Sequence, residues 1–226
     1  MPDIFSYDLI QALALPGCAL CRALEEDERR WMDSFWREGK QSPEARKRFF
    51  EAGGFCRRHA WLLHRLLADE GSGAAIADLY GQLATYDLRS LENVREDLNR
   101  RRRRAEPILR RRRRCPACAF RGEALERKAH FLVEALSEEE IRTRYRRSDG
   151  LCLPHLARTL DDALADGDER GAGFLLDDWR DRLGQLRSGL AEYDRKRDYR
   201  YVSEPKGAEQ RSWTEVIRRY VGEDLS

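Results

Sequence analysis

Gly54-Phe55-Cys56-Arg57-Arg58-His59-Ala60-Trp61 is the stretch whose reading decides the fold, because it returns as Gly150-Leu151-Cys152-Leu153-Pro154-His155-Leu156. Each copy has a Cys-x-x-Cys pair upstream, Cys18 and Cys21 before the first, Cys115 and Cys118 before the second. These motifs take all six cysteines and two of the four histidines. Cys115 follows Cys18 by 97 positions and His155 follows His59 by 96, so the halves align with one residue deleted. The pattern predicts a duplicated Cys3His module.

Zinc takes thiolates and imidazole in tetrahedral geometry, and a Cys3His set fills all four positions. The candidate ligands are Cys18, Cys21, Cys56 and His59 in the first half, and Cys115, Cys118, Cys152 and His155 in the second. Within each half the two pairs are separated by 34 residues (22–55) or 33 (119–151), longer than the loops of small zinc fingers. Such a site pins separate helices together. Pairing within each repeat is the simplest arrangement; a swapped one, with Cys18 and Cys21 meeting Cys152 and His155, stays open. The expected cofactor is zinc, two ions per chain, with iron–sulfur clusters as the alternative and thiol redox chemistry third. The net −1 of three thiolates and a neutral imidazole around Zn2+ invites compensation from Arg22, Arg57, Arg58 or Arg121. His64 and His130 lie outside the motif and read as surface or half-buried histidines, with His64, five residues after His59 on the same helix, left open as a spare ligand.

Around these motifs apolar residues recur at helical spacing, and no strand pattern is visible. Cys18 and Cys21 open a helix after Pro16-Gly17. Ser42-Pro43 starts a short one that stops at Gly53-Gly54, and Cys56 and His59 open the next. Gly71-Ser72-Gly73 turns the chain into a long helix carrying Leu79, Tyr80, Leu83, Leu91, Val94 and Leu98. The second half retraces this order. Pro116 sits in a first turn, Ser137 to Glu140 read as a capping box, and Asp166-Gly167-Asp168 makes a turn. A heptad seam of Leu176, Trp179, Leu183, Leu186, Leu190 and Tyr193 then predicts intramolecular packing. Ser212 to Glu215 form a further capping box, and Trp213, Val216, Ile217, Tyr220 and Val221 one face of a closing helix, docked on the core in the plainer reading and detachable to recognise a partner in the sharper one. The expected architecture is all-α, with two pseudo-repeats each tied by a Cys3His site: 1–99, an Arg-rich linker at 100–114, 115–197, and a basic, aromatic tail at 198–226.

Charged residues make up 37% of the 226-residue chain, yet the formal charge is only +2, so no global case for nucleic acid follows. The linker is different. Arg100, Arg101, Arg102, Arg103 and Arg104, with Arg110, Arg111, Arg112, Arg113 and Arg114, stand against the single Glu106. Arginine binds phosphate bidentately, so this cluster is a candidate nucleic-acid contact, balanced by the plainer reading of a solvated linker. The amino terminus has no basic, apolar leader, and no segment approaches the ~20 apolar residues that span a bilayer. The expectation is a cytoplasmic protein that does not enter membranes, where paired cysteines favour metal over structural disulfides.

The pattern Pro-Gly-Cys-x-x-Cys, Gly-Phe-Cys-x-x-His-Ala-Trp, Cys-Pro-x-Cys and Tyr-Arg-Arg-Ser-Asp-Gly-Leu-Cys-x-Pro-His-Leu resembles an uncharacterised bacterial family. In that family the same double arrangement precedes an Asp-Tyr-Arg-Tyr-like stretch, here Asp198 to Tyr201, and a Ser-Trp helix, here Ser212-Trp213. The resemblance spans nearly the whole chain; it implies the module and no particular activity. The leading functional expectation is a non-enzymatic, zinc-stabilised interaction module with a protein partner and a nucleic-acid contact through the linker. An iron–sulfur or thiol-based redox sensor or electron carrier comes second, and an enzyme last, since no phosphate loop or nucleophile elbow is present.

Overall fold

The computed structural model describes residues 4–68, 73–99 and 114–223. The Gly71-Ser72 turn and all of the Arg-rich linker except Arg114 lie outside the described residues. Among the described residues there are ten α-helices and no strand: α1 (Ile4–Ala12), α2 (Ala19–Arg37), α3 (Pro43–Glu51), α4 (Arg57–Ala68), α5 (Gly73–Asn99), α6 (Pro116–Ala135), α7 (Glu139–Arg147), α8 (Leu153–Ala165), α9 (Glu169–Arg195) and α10 (Ser212–Val221). Helices α2 to α5 run to 19, 9, 12 and 27 residues, and α6 to α9 to 20, 9, 13 and 27. No helix among the described residues is long and apolar enough to cross a membrane.

The chain separates into two compact units, 1–26 with 124–226, and 27–123. This division cuts α2 and α6, whereas the repeats divide the sequence at 99 and 115. Residues 27–123 bury an aromatic cluster: Phe55 lies 5.0 Å from Phe35 and 5.1 Å from Phe49, both edge to face. Met32, Leu63, Leu67, Leu79 and Leu83 close around it. The other unit buries Leu9 of α1 and Leu13 just after it with Leu20, Leu132, Leu136, Tyr145, Leu151, Leu156 and Leu175.

The Gly-apolar-Cys triplets have a mechanical explanation. Gly54 (φ +85°) and Gly150 (φ +70°) adopt the left-handed conformation, which a side chain disfavours. Gly54 N–H donates to Phe49 O at 2.9 Å, ending α3 as a Schellman turn. The next residue, Phe55 or Leu151, plugs its core at 2% or 1% exposure, and the cysteine after it starts a helix. At the second copy Arg182 fills the space a Cβ would need, 2.9 Å from its Nε. The same guanidinium donates to Ser148 O at 2.7 Å and Tyr145 O at 3.1 Å, capping the end of α7.

Ser42 caps α3 as expected, accepting from Ala45 N–H, and Asp168 caps α9, accepting from Gly171 N–H at 2.9 Å. Two expected capping boxes are absent. A turn carried on from α6 uses Ser137 N–H and Glu138 N–H, so Glu138 becomes the N-cap of α7 without a side-chain bond. A 3-10 turn at Ala208–Arg211 similarly places Ser212 inside α10, where it is buried. The heptad seam is also shifted: Ala172 and Leu175 are the buried anchors of α9, and Leu176 is exposed.

The closing helix is docked, but not through the face its apolar residues define. Helix α10 packs on α8 and α9, and Arg219 lies over the Trp179 ring at 5.5 Å. Trp213, Ile217, Tyr220 and Val221 are turned outward and are about half exposed or more. Replacing Gly150 by Ala forces a Cβ into both a left-handed backbone and the Arg182 guanidinium. A urea unfolding curve should show a loss of about 1–3 kcal/mol, and an unchanged midpoint would remove the glycine argument.

Candidate metal centres

Every motif is anchored to a helix start. The first intrahelical bonds run from Arg22 N–H to Cys18 O (3.1 Å), Ala60 N–H to Cys56 O (2.8 Å), Ala119 N–H to Cys115 O (3.0 Å) and Leu156 N–H to Cys152 O (2.8 Å). Cys18, Cys56, Cys115 and Cys152 are therefore the N-cap residues of α2, α4, α6 and α8. The second member of each pair, Cys21, His59, Cys118 or His155, is the third residue of its helix. N-cap and third-residue side chains meet at the helix end, as they do in a capping box, and this is what the x-x spacing accomplishes. The free N–H groups and the positive dipole end there favour thiolate.

The structure takes the swapped pairing. Cys18 and Cys21 of α2 meet Cys152 and His155 of α8, and Cys56 and His59 of α4 meet Cys115 and Cys118 of α6. The simpler expectation, pairing within each repeat, is thereby corrected. Hydrogen bonds join the partner helix starts in the first set: Ala19 N–H donates to Gly150 O at 3.4 Å and Gly17 N–H to the Asp149 side chain (Oδ2) at 2.6 Å. In the second set Phe55, Cys115 and Ala117 share one core, which brings the starts of α4 and α6 together.

In each set the four ligand atoms lie within 4.8 Å of one another. His155 Nδ1 is 3.3, 3.4 and 3.3 Å from the sulfurs of Cys18, Cys21 and Cys152, and Cys21 Sγ is 3.8 Å from Cys152 Sγ. His59 Nδ1 is 3.1, 3.6 and 3.4 Å from Cys56, Cys115 and Cys118, and Cys56 Sγ is 3.6 Å from Cys118 Sγ. A tetrahedron with Zn–S near 2.3 Å and Zn–N near 2.05 Å has S···S edges of about 3.8 Å and S···N edges of about 3.6 Å. One S···S edge in each set, 3.8 or 3.6 Å, lies near this value, the S···N edges of 3.1–3.6 Å are equal to it or somewhat shorter, and all six cysteines are free thiols. The donor chemistry and the spacing fit one tetrahedral ion per set.

Proton affinities in the two sets follow the crowding. Burial opposes charge on both imidazoles, but neighbouring thiolates outweigh it, raising His59 to about 10 and His155 to about 9. Burial also opposes ionisation of Cys115, yet hydrogen bonds from His59 and the backbone lower it to about 6. Cys118 is pushed up to about 12, by burial first and then by the charge on Cys115. In the other set the Cys152 and Cys18 hydrogen bonds hold Cys21 well below the usual thiol range, while burial pushes Cys18 well above it. A cation entering either set displaces these protons, so uptake is opposed by acid.

One functional residue escapes the motif reading. Glu28 is buried at 1% exposure, and its Oε1 lies 3.0 Å from His59 Nε2. Its Oε2 accepts from Arg58 at 2.7 Å and lies 2.9 Å from Arg121 Nη1. Burial alone would raise this carboxyl, but His59 and the two guanidinia lower it to about 2. A carboxylate on the far nitrogen of a ligating histidine fixes its tautomer and raises its basicity. The sequence does carry a signal for this: Glu28 interrupts the apolar stripe Leu24, Met32, Phe35 of α2. Of the arginines expected to compensate the charge, Arg58 and Arg121 act through Glu28, whereas Arg22 donates to Pro16 O at 2.9 Å.

His64 stacks edge to face on Trp61 at 5.3 Å, and His130 lies between Glu134 and Asp166 on the surface, so neither joins a set. Arg114 is described and exposed; Arg100 to Arg104 and Arg110 to Arg113 lie outside the described residues. Compared with known protein families, with curated proteins and with solved structures, the chain finds no match.

Two outcomes check these centres. The pair Cys56→Ser with Cys115→Ser should cost one metal ion per chain, and Cys18→Ser with Cys56→Ser should cost both; the reverse would restore pairing within repeats. Glu28→Gln should weaken one of the two sites by about 10–100-fold in chelator competition, leaving helical content unchanged by circular dichroism.

Proposed function

We propose that the protein is a non-enzymatic, zinc-stabilised interaction module holding two ions per chain. The observation that carries this reading is the gathering of three sulfurs and one imidazole nitrogen within 4.8 Å of one another in each set. An iron–sulfur cluster places some of its protein ligands on different irons, so four donors gathered within 4.8 Å of one another favour a single ion. Four protein ligands also complete the coordination sphere and leave no position for a substrate, which favours structural over catalytic metal.

Each ion ties the starts of two helices distant in sequence, so the metal contributes directly to folding. Duplication of an ancestral module, and kinship with the bacterial family that the motifs resemble, belong to the same proposal. The matched order and lengths of α2 to α5 and α6 to α9 support the duplication. The role in recognition is supported by α10, whose outward Trp213, Ile217, Tyr220 and Val221 lie along one helical face. Large aromatic and aliphatic side chains of this kind anchor protein–protein contacts. The linker arginines add an electrostatic contact with nucleic acid, one that weakens steeply with salt. The proposed compartment is the cytoplasm, where thiols stay reduced.

Elemental analysis of protein purified without oxygen should give two zinc per chain and no visible absorption. Brown protein containing iron and sulfide would replace this reading with a redox one. Binding to a mixed-sequence duplex should fall with salt and weaken when Arg110 to Arg114 are replaced by serine. No binding at low salt would withdraw the nucleic-acid contact.

A further inference from the structure

The two centres share ligands and geometry but differ in what surrounds them. In the unit formed by 1–26 and 124–226, Cys18, Cys21, Cys152 and His155 are all buried. In residues 27–123, His59 and Cys115 are buried but Cys56 and Cys118 are partly exposed. Those two partly exposed sulfurs lie 3.6 Å apart. Their counterparts Cys152 and Cys21 are 3.8 Å apart and covered.

The cover is the end of the tail. Gly222 (φ +92°) approaches so closely that a Cβ on it would lie 3.1 Å from Cys21 Sγ and 3.5 Å from Cys152 Sγ. Arg219 holds it there, donating to Asp149 O at 2.6 Å and Leu151 O at 3.1 Å, next to Cys152.

The shells differ in charge as well. Glu28, Arg58 and Arg121 beside His59 correspond in the repeat alignment to Leu125, Pro154 and Leu24, so the covered centre has apolar residues at these three positions, and the Arg219 guanidinium beside Cys152 is engaged by Asp149 O and Leu151 O. Partly exposed thiolates in an electropositive setting are the oxidisable kind, and buried ones in apolar surroundings are inert.

We propose that the centre of Cys56, His59, Cys115 and Cys118 is a peroxide-responsive metal-release site, while that of Cys18, Cys21, Cys152 and His155 is sealed against the same chemistry. The proposal rests on the metal-binding reading above. One of the Cys56 and Cys118 thiolates attacks a peroxide oxygen, the O–O bond breaks, and hydroxide leaves as water after taking a proton. The second thiolate attacks the resulting sulfenic sulfur, the S–O bond breaks, and a second water leaves with another proton. Two thiolates thus supply two electrons to one peroxide and become a disulfide. Cys115 and His59 remain, too few to retain the ion. His59 stays held by Glu28, so reduction of the disulfide regenerates a site ready to refill.

The test uses the full chain loaded with two zinc ions, challenged with hydrogen peroxide beside a zinc-sensitive dye, with disulfides mapped by mass spectrometry. One ion per chain should leave in a fast phase together with a Cys56–Cys118 cross-link, and thiol reductant with zinc should restore it. Arg219→Ala loosens the cover and should speed loss of the second ion by roughly tenfold, the scale of one hydrogen bond, without altering the first phase. Two ions leaving at one rate, a Cys21–Cys152 link appearing first, or an unresponsive Arg219→Ala protein would overturn the inference while leaving the metal reading intact. A chain that takes up no metal before the challenge overturns both.

Discussion

Two helix starts facing one cluster of sulfur and imidazole is the arrangement on which the rest of the structure depends, and it occurs twice. Thiolates are negative, helix N-termini carry positive dipole and unpaired N–H groups, and each compensates the other. The Cys-x-x-Cys and Cys-x-x-His spacings place both side chains of a pair at the N-cap and third positions of one helix. The cluster then fixes where α2 meets α8 and where α4 meets α6. A left-handed glycine two residues before Cys56 and Cys152, and a buried Phe55 or Leu151 between, connect that geometry to the apolar cores.

The swapped pairing closes long loops. Cys21 and Cys152 are 131 residues apart, and Cys56 and Cys118 are 62 apart. Loop entropy grows slowly, about 0.6 kcal/mol for each doubling of length, so the longer closure is disfavoured only slightly. Packing of the cores readily outweighs such a term. The covered centre lies among Leu20, Leu132, Leu151 and Leu156.

Much of this was legible in the sequence. Two Cys-x-x-Cys pairs, two Cys-x-x-His pairs and no cysteine left over identify the ligands, and helical spacing with Gly, Pro and Ser stops identifies the helices. Ligand pairing was not legible, because spacing along a helix says nothing about which other helix it will face. Glu28 was hidden for a related reason: its partners Arg58, His59 and Arg121 come from other helices. The outward turn of Trp213, Ile217 and Tyr220 contradicts the rule that an apolar stripe is a buried one. That rule fails where the opposite face carries an anchor such as Arg219 and ends in a glycine that fits against sulfur. Ser137 and Ser212 show how a preceding turn can take over a helix start that a capping-box sequence marks.

The ligand sets are nested along the chain: Cys18 and Cys21 open the outer one, Cys56 through Cys118 complete the inner one, and His155 completes the outer one. A ribosome releasing this chain from its amino end therefore delivers a full inner set 37 residues before the outer set is whole (118 against 155). Until then Cys18 and Cys21 wait as half a site. The tail glycine that covers them arrives later still, at position 222. The ligands of the inner set thus emerge complete first, and the set that Gly222 covers is the last to have all its ligands made.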